Sequence, residues 1–158
     1  MSIFGNGFLA YHIDVHVDPG QADSVKSVVK QWQVEFRNRN DWPGFPASMV
    51  ERLLQVPGVT KVECEGPQSS VLIPLRMAHG VAGAACRMST VLGTGPVTQA
   101  IVDSMQRWGI DLEITHQLDD ADSPIEFSFR DPAGQHASLI LYPVTRARYR
   151  GAIGHLLV

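Results

Sequence analysis

Residues 9–17, LAYHIDVHV, alternate without a break, with Leu9, Tyr11, Ile13, Val15 and Val17 on one side and Ala10, His12, Asp14 and His16 on the other. Side chains in a strand point to opposite faces with period two, so the stretch is a half-buried β-strand in one register. The apolar row faces the core, and the other row lines up two imidazoles and a carboxylate. That row has two readings. His12, Asp14 and His16 could converge on a metal ion if a neighbouring strand or loop supplied a further ligand. Equally, an alternating strand must turn something polar toward water, and His and Asp serve.

Downstream, Asp18-Pro19-Gly20-Gln21 reads as a helix start, with Asp18 as N-cap and Pro19 at the first helical position. Val25, Val28, Val29, Trp32 and Phe36 then recur at helical spacing. The turn-forming run from Arg37 to Pro46, RNRNDWPGFP, predicts a loop, and Ala47 to Val56 a second helix. Strands are expected over 59–65 and 70–75, and a short small-residue helix over 78–87. Val97, Ile101, Val102, Met105 and Trp108 mark a helix begun by Pro96 and closed by Gly109. A strand from Ile110 follows, then an acidic loop over 117–123. Residues 125–130 and 136–142 form a hairpin across Asp131-Pro132-Ala133-Gly134. Val50, Glu51, Leu53 and Val56 echo Val102, Asp103, Met105 and Trp108, each helix leading through a glycine into a strand. The expected fold is α+β: a two-layer sandwich of a mostly antiparallel sheet with helices on one face, made of ferredoxin-like helix–strand–strand units.

The 158 residues are expected to form one domain, 1–158. With 44% hydrophobic and 18% charged residues the chain is neither disordered nor strongly charged. Thirteen basic against sixteen acidic residues leave a net charge of −3, which argues against nucleic-acid binding. The low charge and the apolar end Gly151–Val158 point to a protein partner or a homo-oligomer. Cys64 and Cys86 form no CxxC pair and Met1 to Gly7 is no secretory leader, so a reduced cytoplasmic setting is expected. No apolar run approaches the roughly 20 residues of a transmembrane span.

Three further stretches carry candidate chemistry. HIDVHVDPG resembles the first strand of amidohydrolases, which bears a His-x-His pair and implies a metal; here Asp18 stands at the second position of that pair. MSTVLGTGPVTQAI, residues 88–101, resembles the opening turn of a Rossmann dinucleotide-binding domain, which implies a nucleotide phosphate held at Gly93, Gly95 and Thr98; Thr98 stands where that family has its third glycine. The same region together with residues 123–143 resembles the middle of ribokinase-like sugar kinases. Last, Arg146, Arg148 and Arg150 would share one strand face, and the acidic stretch Asp111, Glu113, Asp119, Asp120 and Asp122 is their obvious complement, within the chain or in a neighbouring copy. With Leu156 and Leu157 these arginines make up the expected interface.

On this reading the chain is a non-catalytic interaction or structural subunit of an assembly. The alternative is a small enzyme or ligand-binding protein with a metal ion at His12, Asp14 and His16, or a nucleotide at the Gly93–Thr98 turn.

Overall fold

The computed structural model describes residues 1–39 and 42–154. Its elements, in chain order, are β1 (Ser2–Asn6), β2 (Ala10–Val17), α1 (Ala22–Arg39), α2 (Ala47–Leu54), β3 (Val59–Gln68), α3 (Leu72–Ala82), β4 (Ala85–Gly93), α4 (Pro96–Arg107), β5 (Ile110–Leu118), β6 (Ile125–Arg130), β7 (His136–Leu141) and α5 (Arg146–Gly154). They build two sheets. One is three-stranded, β1-β4-β5, and parallel throughout. The other, β3-β2-β6-β7, pairs β2 with β6 in parallel and its outer strands antiparallel. The expected mostly antiparallel sandwich is therefore corrected to an α/β fold of one parallel and one mixed sheet. The reason is that β4 and β5 are joined through a whole helix, and a crossover of that length lets consecutive strands run the same way.

Strand β2 is as expected on its apolar side, with Ile13 and Val15 fully buried. The opposite side is less open than alternation implies, because Ala10 and His12 are buried as well. Helices α1 and α2 pack on the four-stranded sheet and α3 on the three-stranded one, while α4 lies against β5 of the latter and against β2 and β3 of the former. A continuous core joins the two sheets through Met88, Leu92, Ile101, Ile13, Phe127 and Phe129. A smaller cluster of Val91, Leu118, Ala121, Val144, Tyr149 and Ala152 holds α5.

Several boundaries differ from the sequence reading. Asp18 to Gln21 form a turn, Gln21 N–H donating to the Asp18 carbonyl at 3.0 Å, and α1 starts at Ala22, three residues beyond the expected first helical position, Pro19. It also runs to Arg39, into the loop expected over Arg37 to Pro46; Asn40 and Asp41 of that loop lie outside the described residues. The strand expected over 70–75 is the entry to α3, where Ser69 Oγ accepts the Leu72 N–H at 3.0 Å. Pro74 falls in the first helical turn, where its missing N–H has no partner to lose. The small-residue helix expected over 78–87 is split: α3 ends at left-handed Gly83 (φ 60°), and β4 begins at Ala85. These changes remove the second strand of the first helix–strand–strand unit, so the internal echo does not extend to the fold. The arginine segment is a corrected expectation too. It forms α5, and in a helix residues two apart do not share one face, so Arg148 and Arg150 are not aligned as strand alternation would have them. Leu156 and Leu157 lie outside the described residues.

Candidate functional site

Strand β4 delivers the chain to Gly93-Thr94-Gly95 and straight into α4, the strand–turn–helix order that a phosphate cradle needs. The helix start already holds an anion supplied by the chain. Asp122 is fully buried, and its carboxylate accepts the Val97 N–H at 2.9 Å, the Thr98 N–H at 2.9 Å, the Thr98 hydroxyl at 3.0 Å and the Ser123 N–H at 2.8 Å. Burial pushes its pKa upward, and the hydrogen bonds from Val97, Thr98 and Ser123 pull against that. Thr98 Oγ1 also lies 2.7 Å from Ser123 Oγ, whose oxygen accepts the Gly93 N–H at 3.1 Å. The glycines serve this packing. A methyl group at Gly93 would overlap the carbonyl oxygens of Ala121 and Asp122, and one at Gly95 (φ 145°) would meet the Asp122 carboxyl carbon at 2.7 Å. Gly93, Gly95 and Thr98 thus come together around the Asp122 carboxylate, which takes the two amides that a phosphate would use.

The polar row of β2 lies beside polar rows from both neighbours. Register sets His12 against Gly66 of β3 and Glu126 of β6, Asp14 between Glu63 and Ser128, and His16 between Lys61 and Arg130. At the His12 end, α4 packs against β2 and β3, and a Cβ on Gly66 (φ 82°) would meet the Trp108 ring at 3.2 Å. Imidazole Nε2 of His12 lies 3.2 Å from Asp14 Oδ1, and Nδ1 lies 3.6 Å from Glu126 Oε2, beyond hydrogen-bond length. That Nδ1 is buried with no hydrogen-bond partner. Burial opposes the charged imidazole, yet Glu126 and Asp14 outweigh it, and the His12 pKa is raised above 6.5. Arg130 Nε stands 3.4 Å from Asp14 Oδ1, closing the row on the open side.

His16 belongs to a separate group. Its Nε2 is 2.6 Å from Glu63 Oε2, and Lys61 Nζ is 2.6 Å from Glu63 Oε1. The two histidines therefore turn to different carboxylates. Among the described residues no group of three or more His, Cys, Asp or Glu side chains is arranged to hold a metal ion. Far from this row, Arg148 forms a two-pronged ion pair with Asp120, Nη1 donating to Oδ2 at 2.9 Å, so one expected arginine–acid contact is made within the chain. No described helix is long and apolar enough to cross a membrane.

Sequence reasoning missed Glu126, Arg130 and Asp122. The alternation of IEFSFR, residues 125–130, already sets Glu126, Ser128 and Arg130 opposite Ile125, Phe127 and Phe129. What it lacks is the parallel pairing that puts them next to β2. Asp122 carried no signal beyond membership of an acidic loop.

No protein-family model and no curated protein matches the sequence. Solved structures match in fold. Ribokinase from Thermotoga maritima aligns with a TM-score of 0.54 at 14% identity, over 89% of this chain and 36% of that one. Ribokinase from Giardia lamblia aligns with a TM-score of 0.53 at 11% identity, over 88% and 35%. Phosphofructokinase-2 from Escherichia coli, solved in complex with fructose-6-phosphate, aligns with a TM-score of 0.54 at 8% identity, over 96% and 39%. The chain spans little more than a third of the length of these structures, and at such identities the likeness concerns the fold. These matches correct the expectation of a non-catalytic interaction or structural subunit, because the fold is one shared by enzymes that phosphorylate carbohydrates.

Proposed function

We propose that the chain belongs to a carbohydrate-type phosphotransferase and contributes the surface that receives the hydroxyl-bearing acceptor, on the polar row of β2 and β6. One observation carries this reading: the buried, unpartnered Nδ1 of His12, held 3.6 Å from Glu126 Oε2. Buried polar atoms are nearly always satisfied, and an orphaned one calls for a partner from outside the chain. A hydroxyl group both donates and accepts, so a single one can bond the imidazole nitrogen and the carboxylate oxygen together. Asp14 and Arg130 continue the row with an acceptor and donors for neighbouring hydroxyls. The fold likeness to three carbohydrate kinases supports the substrate class, while function rests on the site because one fold serves many chemistries. Acting on such an acceptor is phosphoryl transfer, a reaction that depends mainly on positioning and on charge neutralisation.

The test is titration of the purified chain with pentoses, hexoses and their phosphates, followed by the amide and imidazole resonances of β2 and β6. Binding should move His12 and Asp14 first, and the double variant His12→Leu/Glu126→Leu should lose it while keeping its circular dichroism spectrum. Magnesium–ATP with the bound sugar should then release ADP. If no member of the panel shifts His12 at concentrations of roughly ten millimolar, an affinity of barely 3 kcal/mol, the reading fails.

A further inference from the structure

The register that sets Glu126 beside His12 extends across the whole four-stranded sheet. Lys61, His16, Arg130 and His136 stand side by side in one row, and Glu63, Asp14, Ser128 and Ser138 in the next. Directly paired residues share a face, so all eight belong to the polar face that carries His12 and Glu126. The β3–β2 half of this block is neutralised from within, because Glu63 takes both His16 Nε2 and Lys61 Nζ at 2.6 Å. The β6–β7 half is different. It holds Arg130, His136, Ser128 and Ser138, a guanidinium, an imidazole and two hydroxyls, with no carboxylate among them.

Arg130 is also turned over this block. In register it faces His16, yet its Nε lies 3.4 Å from Asp14 Oδ1, so the guanidinium leans back over the Asp14–Ser128 row. Among the described residues no hydrogen bond engages either of its Nη groups, whereas Arg52 and Arg148 each donate from an Nη to a carboxylate, to Glu35 at 2.7 Å and to Asp120 at 2.9 Å. Those two nitrogens carry four of the five N–H donors of an arginine, the fork that grips an oxyanion at two points. Ser128 lies below them, 5% exposed, its hydroxyl likewise without a hydrogen bond among the described residues. At the hairpin end a hollow of about 410 Å³ opens against Arg130 and His136. The Asp131 carboxylate that also lines it is taken up by the Gly20 and Gln135 amides, at 2.8 and 2.7 Å.

We infer that the acceptor is itself a sugar phosphate, its phosphate seated on Arg130, Ser128, Ser138 and His136 while a free hydroxyl meets His12 and Glu126. The inference rests on the acceptor reading above and gives that site its substrate class. Residues two apart on a strand are about 7 Å apart, so Ser128 and the guanidinium over it stand one such step from Glu126 and the hydroxyl held there. That step suits one monosaccharide, gripped by a hydroxyl at one end and by a phosphate ester at the other. Arg130 supplies charge-assisted bonds in a two-pronged geometry, Ser128 and Ser138 supply hydroxyl donors, and the imidazole of His136 supplies a further N–H at the outer corner.

Calorimetric and NMR titrations of the full chain with matched pairs test this: glucose against glucose-6-phosphate and ribose against ribose-5-phosphate, with inorganic phosphate as a separate probe. In the wild type each ester should bind at least about tenfold more tightly than its parent sugar and more tightly than inorganic phosphate, moving the Ser138 amide as well as His12. Ser138→Glu sets a carboxylate in the seat and His136→Leu removes an N–H; both positions are exposed, so the circular dichroism spectrum should not change. Ser138→Glu should cut the preference for the ester at least about tenfold and His136→Leu should reduce it, each leaving affinity for the neutral sugar as it was. An ester bound no more tightly than its parent sugar overturns the inference. So does a preference that both variants leave intact, and so does inorganic phosphate bound as tightly as the esters, which would make the seat one for a free anion. Each of these results is read from the difference between ester and sugar, and leaves the acceptor reading standing on the shift of His12; a His12 that neither sugar nor ester moves overturns both.

Discussion

Replacing Asp122 by alanine removes the internal anion at the start of α4 and is expected to be among the most costly single changes in the chain. Three buried amides, those of Val97, Thr98 and Ser123, lose their acceptor, while the Thr98 hydroxyl keeps Ser123 Oγ. An unsatisfied buried donor costs about 1–3 kcal/mol, which taken alone gives roughly 3–9 kcal/mol for three. Against this, alanine avoids the cost of burying a carboxylate, and the void can admit water. The net expectation is a loss of about 3–5 kcal/mol, against about 1 kcal/mol for a solvent-exposed N-cap. In a chain of this size that lowers Tm by roughly 10–15 °C. Equilibrium urea unfolding at neutral pH measures it, with an unchanged m-value showing that the unfolded reference has not moved. Asp122→Asn should lose about half as much, since one oxygen remains as acceptor while the new amide faces a backbone donor. A loss below about 1 kcal/mol for Asp122→Ala would refute the reasoning, because it would mean that water replaces the carboxylate and that the helix start is open to other anions.

Two more outcomes follow from the same geometry. The His12 pKa is raised above 6.5 by Glu126 and Asp14, so the folded state holds the proton more tightly than the unfolded chain; this stabilisation is complete below about 6.5 and is lost as pH rises through the folded value. Thermal melts from pH 5 to 9 should show that slope in the wild type and a shallower one in His12→Gln, and identical slopes would contradict the assignment. Gly93→Ala drives a methyl into the Ala121 and Asp122 carbonyls and should cost more than about 3 kcal/mol in urea unfolding, whereas Gly134→Ala, with no atom near its Cβ, should cost only the strain of its positive φ, about 1 kcal/mol.

How much was legible can be judged on particular residues. Strand β2, helix α4 with Pro96 at its start and Gly109 behind it, and the β6–β7 hairpin were all readable, because each is dictated by local period and turn chemistry over a few consecutive residues. The entry to α3 was not. Val71, Leu72, Ile73 and Leu75 suit a buried strand as well as a helix, and in the fold Val71 and Leu75 pack against Gly5 of β1. The candidate site divides the same way. His12 and Asp14 were visible as a polar row, but Glu126 comes from a strand more than a hundred residues away, and parallel pairing leaves no mark in either strand's alternation.

By itself, then, the sequence determined which residues turn inward, since burying apolar surface acts on every side chain where it stands. Tertiary structure alone decided strand direction and sheet membership, along with the partner of each polar group. Asp122 illustrates this: nothing in QLDDADS separates its carboxylate from those of Asp119 and Asp120, yet the fold buries one of the three against the start of α4 and leaves Asp120 at the surface with Arg148. The physical reason is that patterning is set by neighbours in the chain, whereas the environment of a charge is set by whatever the rest of the chain brings to it.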